Sequence, residues 1–230
     1  MHGNSKPVAS GQTAPHRDLE RLLARHVAHR YCKPIAPYSR AAFDRFQRVH
    51  SAQLSIVLDA GCGNGESTFA LAALHPGHLV VGVDQSAARL AHGLALPGRP
   101  DNALLLRADI VDIWRLLAAT GVTLAAHYLL YPNPWPKPAQ LMRRWPAHPV
   151  FPAVVALGGR LECRSNWRVY VEEFAWAVGF LSGRTIAVDA FHPEYPLTPF
   201  ERKYHASGHA LYRVVQDLPA HQVSPGPAVS

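Results

Sequence analysis

Cysteine is scarce in this chain. Cys32, Cys62 and Cys163 lie far apart and form no CxxC pair, which excludes a disulfide framework and a cysteine-built zinc site. The 14 histidines are equally dispersed, with no HExxH and no histidine–cysteine cluster, so no metal is expected. Long apolar runs are missing as well. None approaches the roughly 20 residues that a spanning helix needs. No apolar stretch follows the polar N-terminus either, so neither a membrane span nor a signal peptide is read, and a cytoplasmic location is expected. Acidic residues are few: 16 Asp and Glu stand against 23 Lys and Arg, a formal charge of +7. That sign favours polyanionic partners through counterion release, nucleic acid first among them, although a generally basic enzyme has the same balance.

What is present fits one globular domain. The 230 residues, 48% hydrophobic and 17% charged, suffice for one well-buried core. Residues 1–16, rich in Gly, Ser, Pro and Asn, read as a flexible tail, 17–220 as the domain, and 221–230 as a second tail. Leu19, Leu22, Leu23 and Val27 recur at helical spacing across 18–30, and a second short helix is expected over 40–49. From Ser55 the pattern changes. Apolar runs at 56–58, 79–83, 103–106 and 127–131 alternate with helical segments at 66–74, 87–94 and 111–119. A helix near 151–157, a strand at 160–164 and a helix over 168–180 follow. Two closing strands at 185–191 and 209–215 are expected as antiparallel neighbours. Buried strands alternating with helices describe an α/β, doubly wound, Rossmann-like fold with a mostly parallel seven-stranded sheet and an antiparallel final strand.

The first strand runs through Asp59 into Gly61-Cys62-Gly63-Asn64-Gly65-Glu66 and then a helix. Gly61 and Gly63 let the backbone approach a ligand where a Cβ would collide, and Gly65 completes the turn. The second strand ends in Gly82-Val83-Asp84, where a carboxylate can accept from both hydroxyls of a ribose. The third ends in Arg107-Ala108-Asp109, whose carboxylate could meet the exocyclic amine of an adenine or simply cap the next helix. A dinucleotide would place its pyrophosphate on the helix N-terminus, usually within GxGxxG, and nearby carboxylates are unwelcome there. Here the spacing is GxGxG, flanked by Asp59 and Glu66. Acidic groups suit a phosphate-free cofactor with a cationic amino acid end, and S-adenosylmethionine is such a cofactor. The fourth strand exits into Tyr131-Pro132-Asn133-Pro134-Trp135-Pro136-Lys137, a proline-stiffened loop that would hold Asn133 at the acceptor side. Trp135 is expected to plug the core.

Together these segments resemble the bacterial tRNA (guanine-N(7))-methyltransferases over about residues 55–214. The likeness rests on GCGNGES, GVD, PNPWPK, SNW at 165–167 and TPFERKYHASGH at 198–209. By that resemblance Asp59, Asp84 and Asp109 fall at cofactor positions. Lys137, Asn166 and the segment from Thr198 to Glu201 fall at substrate positions, and Asn133 at the place of a catalytic-loop aspartate. The family typically carries PDPW and TDW, so this chain has asparagine at two places where the resemblance implies carboxylates. Nitrogen 7 of guanine has a free lone pair, so methyl transfer to it needs no general base. Asparagine keeps an acceptor, loses the charge and adds a donor. Arg143, Arg144, Arg164, Arg168, Arg202 and Lys203 could line a phosphate track or simply a solvated face. The leading expectation is an S-adenosylmethionine-dependent N-methyltransferase acting on tRNA guanine. A related enzyme for a small purine-like heterocycle and a non-catalytic RNA- or cofactor-binding protein are the alternatives, and a dinucleotide oxidoreductase stands well behind them.

Overall fold

Two helices precede the sheet: α1 (Leu19–Ala28) and α2 (Pro37–Val49). α1 buries Leu19, Leu22, Leu23 and His26 on one face, while Val27, expected on that face, is exposed. α2 begins three residues before the expected start because Pro37 occupies its first turn, where the missing N–H has no intrahelical partner to lose. These elements belong to a computed structural model that describes residues 4–29, 31–50 and 54–219. The expected tail at 221–230 and Arg30 lie outside the described residues.

The apolar runs that follow become strands separated by helices. They are β1 (Ile56–Ala60), α3 (Glu66–Leu74), β2 (Leu79–Asp84), α4 (Ala87–Leu94), β3 (Ala103–Arg107), α5 (Ile110–Ala119) and β4 (Ala126–Leu130). Short 3-10 turns at Pro138–Arg143 and Trp145–Ala147 lead to α6 (Phe151–Ala156), β5 (Gly159–Ser165), α7 (Arg168–Ser182), β6 (Asp189–Phe191), α8 (Pro199–Ala206) and β7 (Leu211–Leu218). The sheet order is β3-β2-β1-β4-β5-β7-β6. Adjacent strands from β3 to β5 are parallel, and β7 runs antiparallel to both β5 and β6. The expected doubly wound sheet and reversed final strand are both present.

β2 is buried along its whole length and β4 likewise, as strands covered on both faces by helices must be. The main core joins the sheet to α1, α2, α5 and α7 through Leu58, Val81, Leu106, Trp114, Tyr170 and Phe174. The first closing strand is shorter than the expected 185–191. Ile186 and Val188 pack against the core as partly buried side chains, and pairing begins only at Asp189. The strand order reverses between β1 and β4. A crevice at the carboxyl ends of strands is therefore placed there by topology, and the loops and element ends beside it bring Gly61, Gly63, Asp84, Asp109, Asn133, Asn166 and Thr198 to its wall.

The segment expected as a loose tail lies against the domain from Ser5 onward. The amide of Ser5 donates to the Ser207 hydroxyl, the Ser10 hydroxyl donates to the carbonyl of Pro136, and the Gln12 amide donates to Glu173. Polar composition hid these contacts, since each is made by a short hydroxyl, an amide or the backbone.

Candidate active site

A cavity of about 950 Å³ opens over the carboxyl ends of β1, β2 and β4. Gly61, Gly63, Asp84 and Asp109 line one end; Asn133, Asn166 and Thr198 line the other. The glycine turn has φ of +81° at Gly61 and +62° at Gly63, a region that side chains with a Cβ rarely adopt. A Cβ at either position would meet nothing within 4 Å and would project into open space, so the bare backbone forms a shallow cradle. Gly65 differs. It starts α3 at φ +85°, and its added Cβ would come within 2.8 Å of Leu105, so it serves packing and lies outside the cavity wall.

The three expected cofactor carboxylates have different settings. Asp84, nearly buried, accepts from the backbone N–H of Gly63 (3.0 Å) and of Ser86 (2.8 Å) and pairs with Arg89 at 2.9 Å. It thus braces the turn while lining the cavity. Asp109 caps α5 by accepting from Val111 N–H, pairs with Lys33 at 3.1 Å, and also lines the cavity, so both of its expected roles are compatible with its place. Asp59 is not on the wall. It lies 1% exposed beneath the turn and accepts from the hydroxyls of Ser67 (2.6 Å) and Thr68 (2.7 Å). Burial pushes its carboxyl up to about 6 against the pull of those two hydroxyls. Ser67 does line the cavity, so Asp59 reaches it only through Ser67. Glu66, expected to add negative charge here, is instead bonded to Asn64 and ion-paired with Arg202, which ties α3 to α8.

The acceptor end departs further from expectation. Glu201 is fully buried and its carboxylate is consumed by the fold. It pairs with Arg164 at 3.0 Å and accepts from the Tyr131 hydroxyl (2.8 Å) and Leu197 N–H (2.7 Å). It is therefore not a free grip for a base edge. Burial and the adjacent Glu201 carboxylate hold the Tyr131 phenol far above its ordinary range, so it remains a donor. Thr198 caps α8, its hydroxyl accepting from Glu201 N–H at 2.9 Å, and lines the cavity. Lys137 is exposed and outside the cavity wall. Asn133 is exposed at the rim, where its Oδ1 lies 3.4 Å from Trp135 N. Phe200, within the expected Thr198–Glu201 substrate segment, lines the cavity, and Tyr204 and Trp145 supply aromatic wall that sequence reasoning did not assign.

The loop after β4 is held from behind. Tyr131 and Trp135 adopt φ of 53° and 45°, positions that need outside support in residues with a Cβ. Arg144 provides it. Fully buried, it donates to the carbonyls of Trp135 (3.1 Å) and Lys137 (3.3 Å), to Gln12 Oε1 (3.0 Å), and to Glu173 at 2.6 Å. Trp135 does not plug the core. It is partly exposed, with the Arg143 guanidinium 4.7 Å from its ring centre. The phosphate track correspondingly loses Arg144 and Arg164, which are bound inside. Arg168 and Arg202 remain on the surface, paired with Glu172 and Glu66.

Among the described residues no cluster of His, Cys, Asp or Glu could hold a metal, and no helix is long and apolar enough to cross a membrane. Among known proteins, the chain is similar to a tRNA (guanine-N(7)-)-methyltransferase of Treponema pallidum (strain Nichols). That match is 28% identical and covers 86% of this chain and 88% of the relative. A relative of the same name from Burkholderia thailandensis is 30% identical over 79% of this chain and 71% of its own length. Two solved structures share the fold. A 16S rRNA methyltransferase, KamB, has a TM-score of 0.55 at 16% identity over 82% of this chain and 96% of its own. A 16S rRNA (adenine(1408)-N(1))-methyltransferase with cosubstrate S-adenosylmethionine has 0.52 at 21%, over 78% and 93%. The family model Methyltransf_4, described as "Putative methyltransferase", matches residues 53–214. Glycine cradle, rim carboxylates and switch-point cavity all fall within those residues, and the chain belongs to this family of S-adenosylmethionine-dependent methyltransferases.

Proposed function

We propose that the enzyme methylates nitrogen 7 of guanine in tRNA. The observation that carries this reading is the continuity of the cavity. One space joins the Gly61–Gly63 cradle to Asn133, Asn166 and Thr198, so donor and acceptor would meet without crossing bulk solvent. The names of the similar proteins from Treponema and Burkholderia support the same acceptor.

On this reading Asp84 accepts from the ribose hydroxyls of the cofactor, Asp109 faces its adenine, and Gly61 and Gly63 admit its amino acid end. Asp59 acts through Ser67. Held by these residues, S-adenosylmethionine would supply a sulfonium methyl to the N7 lone pair, the C–S bond breaking as the N–C bond forms. No proton has to move, so Asn133 is not required to act as a base. Its task is to accept or donate one hydrogen bond at the acceptor ring while the loop excludes water. Thr198, already engaged by Glu201 N–H, holds the start of α8 at the acceptor wall.

A second reading has its own observation. Asn133 and Asn166 are neutral where the resemblance implies carboxylates, which would suit a small purine-like heterocycle without a backbone. Acceptor competition separates the two. With tRNA as acceptor the rate should exceed that on guanosine by several orders of magnitude, and tRNA affinity should fall steeply between about 50 and 200 mM salt. Equal use of a free nucleoside, indifferent to salt, would select the second reading.

A further inference from the structure

Asn166, just beyond the end of β5, lines the acceptor end of the cavity and makes a contact that Asn133 lacks. Its Nδ2 lies 3.1 Å from Nδ1 of His209, whose Nε2 lies 2.9 Å from the backbone oxygen of Ser5. The Ser5 carbonyl can only accept, so Nε2 carries the ring proton. In the neutral ring Nδ1 is then a lone pair, and whatever faces it must donate. Of the two ends of the Asn166 amide only the nitrogen can do so, and this network assigns the amide's orientation. Tyr204, itself on the cavity wall, stacks on the imidazole with centroids 5.3 Å apart and planes 13° apart, which fixes the ring plane.

We propose that His209 is a positioning residue: clamped between Ser5 and Tyr204, it turns the Asn166 amide so that its oxygen is the group offered to the acceptor, selecting a ring edge that carries N–H donors. The inference rests on guanine being the acceptor, since the ring N–H and exocyclic amine of guanine form such an edge. It also gives the asparagine at 166 a physical reason. An aspartate there would need a proton on Nδ1 as well, hence an imidazolium, whereas asparagine makes the contact with a neutral ring. Residue 166 and the N-terminal segment are coupled through one imidazole.

The test has two arms on the full-length protein. In histidine-labelled protein, 15N NMR should show His209 as the fixed Nε2–H tautomer at neutral pH, its signal assigned by loss in His209→Gln. In Asn166→Asp the same ring should carry both protons. A ring exchanging freely between tautomers, or one unchanged by Asn166→Asp, would overturn the proposal. In the kinetic arm, His209→Phe keeps the stack and removes both hydrogen bonds. It should raise KM for tRNA roughly tenfold, the loss of about one hydrogen bond's worth of binding, with kcat within about twofold and cofactor affinity unchanged. Discrimination against RNA bearing inosine, which lacks the exocyclic amine, should shrink. His209→Gln, whose amide offers one donor and one acceptor, should restore most of the loss. Unchanged KM, or a loss of cofactor affinity in its place, contradicts the positioning role. The NMR arm contains no RNA, so failure of the tautomer and failure of guanine as acceptor are told apart.

Discussion

Two aspartates at the ends of adjacent strands flank one glycine turn and face opposite problems. Asp84 has a guanidinium and two backbone N–H groups around it, whereas Asp59 has two hydroxyls and almost no solvent. Removing the first should cost ligand contacts directly. Asp84→Ala is expected to weaken S-adenosylmethionine binding roughly 10- to 100-fold by calorimetry, the scale of charged hydrogen bonds; unchanged affinity would take Asp84 out of the ribose site. Asp59 should show itself through pH. Its folded value near 6 exceeds the ordinary 3.8, so between about pH 4 and 6 the folded state holds the proton more tightly than the unfolded chain. Stability attributable to this group is therefore full below pH 4 and falls as pH rises to 6, by an amount on the order of 3 kcal/mol. Asp59→Asn should flatten that difference in denaturation curves at pH 4.5 and 7. A cationic ligand favours the ionised form, so cofactor affinity should fall as pH drops through 6, and a flat profile would contradict the coupling. The position of both carboxylates at strand ends was legible in the sequence. Their roles were not, because Ser67, Thr68 and Arg89 complete each setting only after folding, as Arg164 and Tyr131 do for Glu201.

At the scale of elements, the proposed acceptor wall is a loop and a helix held by two ion pairs, one buried at both partners and one with only its glutamate fully buried. Arg144–Glu173 fastens the 131–137 loop to α7 and to the N-terminal segment, and Arg164–Glu201 fastens α8 to β5. Breaking a buried pair leaves a charge without its counterion. Arg144→Met should destabilise the fold by about 3–5 kcal/mol in chemical denaturation. Arg144→Met with Glu173→Met should recover most of that stability while kcat stays depressed, since the carbonyls of Trp135 and Lys137 still lack their donor. Full recovery of kcat would show that the loop needs no anchor. Strands and helices were readable here because apolar periodicity is a local property. The ends of β6 and α2 were less so, since Ile186 and Val188 chose the core over pairing and Pro37 advanced a helix start. The latch at Arg144 had no local signal: an arginine in a basic run looks solvated until its buried glutamate is found 29 residues away.

Across the whole molecule, the formal charge of +7 is not spent inside the site. Arg25 on α1 and Arg40, Arg45 and Arg48 on α2 are exposed, as is Arg21, which lies 3.7 Å from Asp18, while Arg164, Arg168 and Arg202 are paired with glutamates. Electrostatic docking of an RNA backbone is thus expected on the helical N-terminal side. Arg21→Glu with Arg25→Glu should weaken tRNA binding several-fold and flatten its salt dependence by about one unit of slope per lost phosphate contact, leaving cofactor affinity intact. Equal weakening of the cofactor would point to misfolding. The most direct test of the proposal that this methyltransferase acts on guanine N7, with neutral amides at its acceptor wall, is chemical. Labelled methyl from S-adenosylmethionine is supplied with unmodified tRNA, and the digested nucleosides are separated. Label in 7-methylguanosine is the predicted result; label in another nucleoside, or none in RNA from a protein that binds the cofactor, would contradict it.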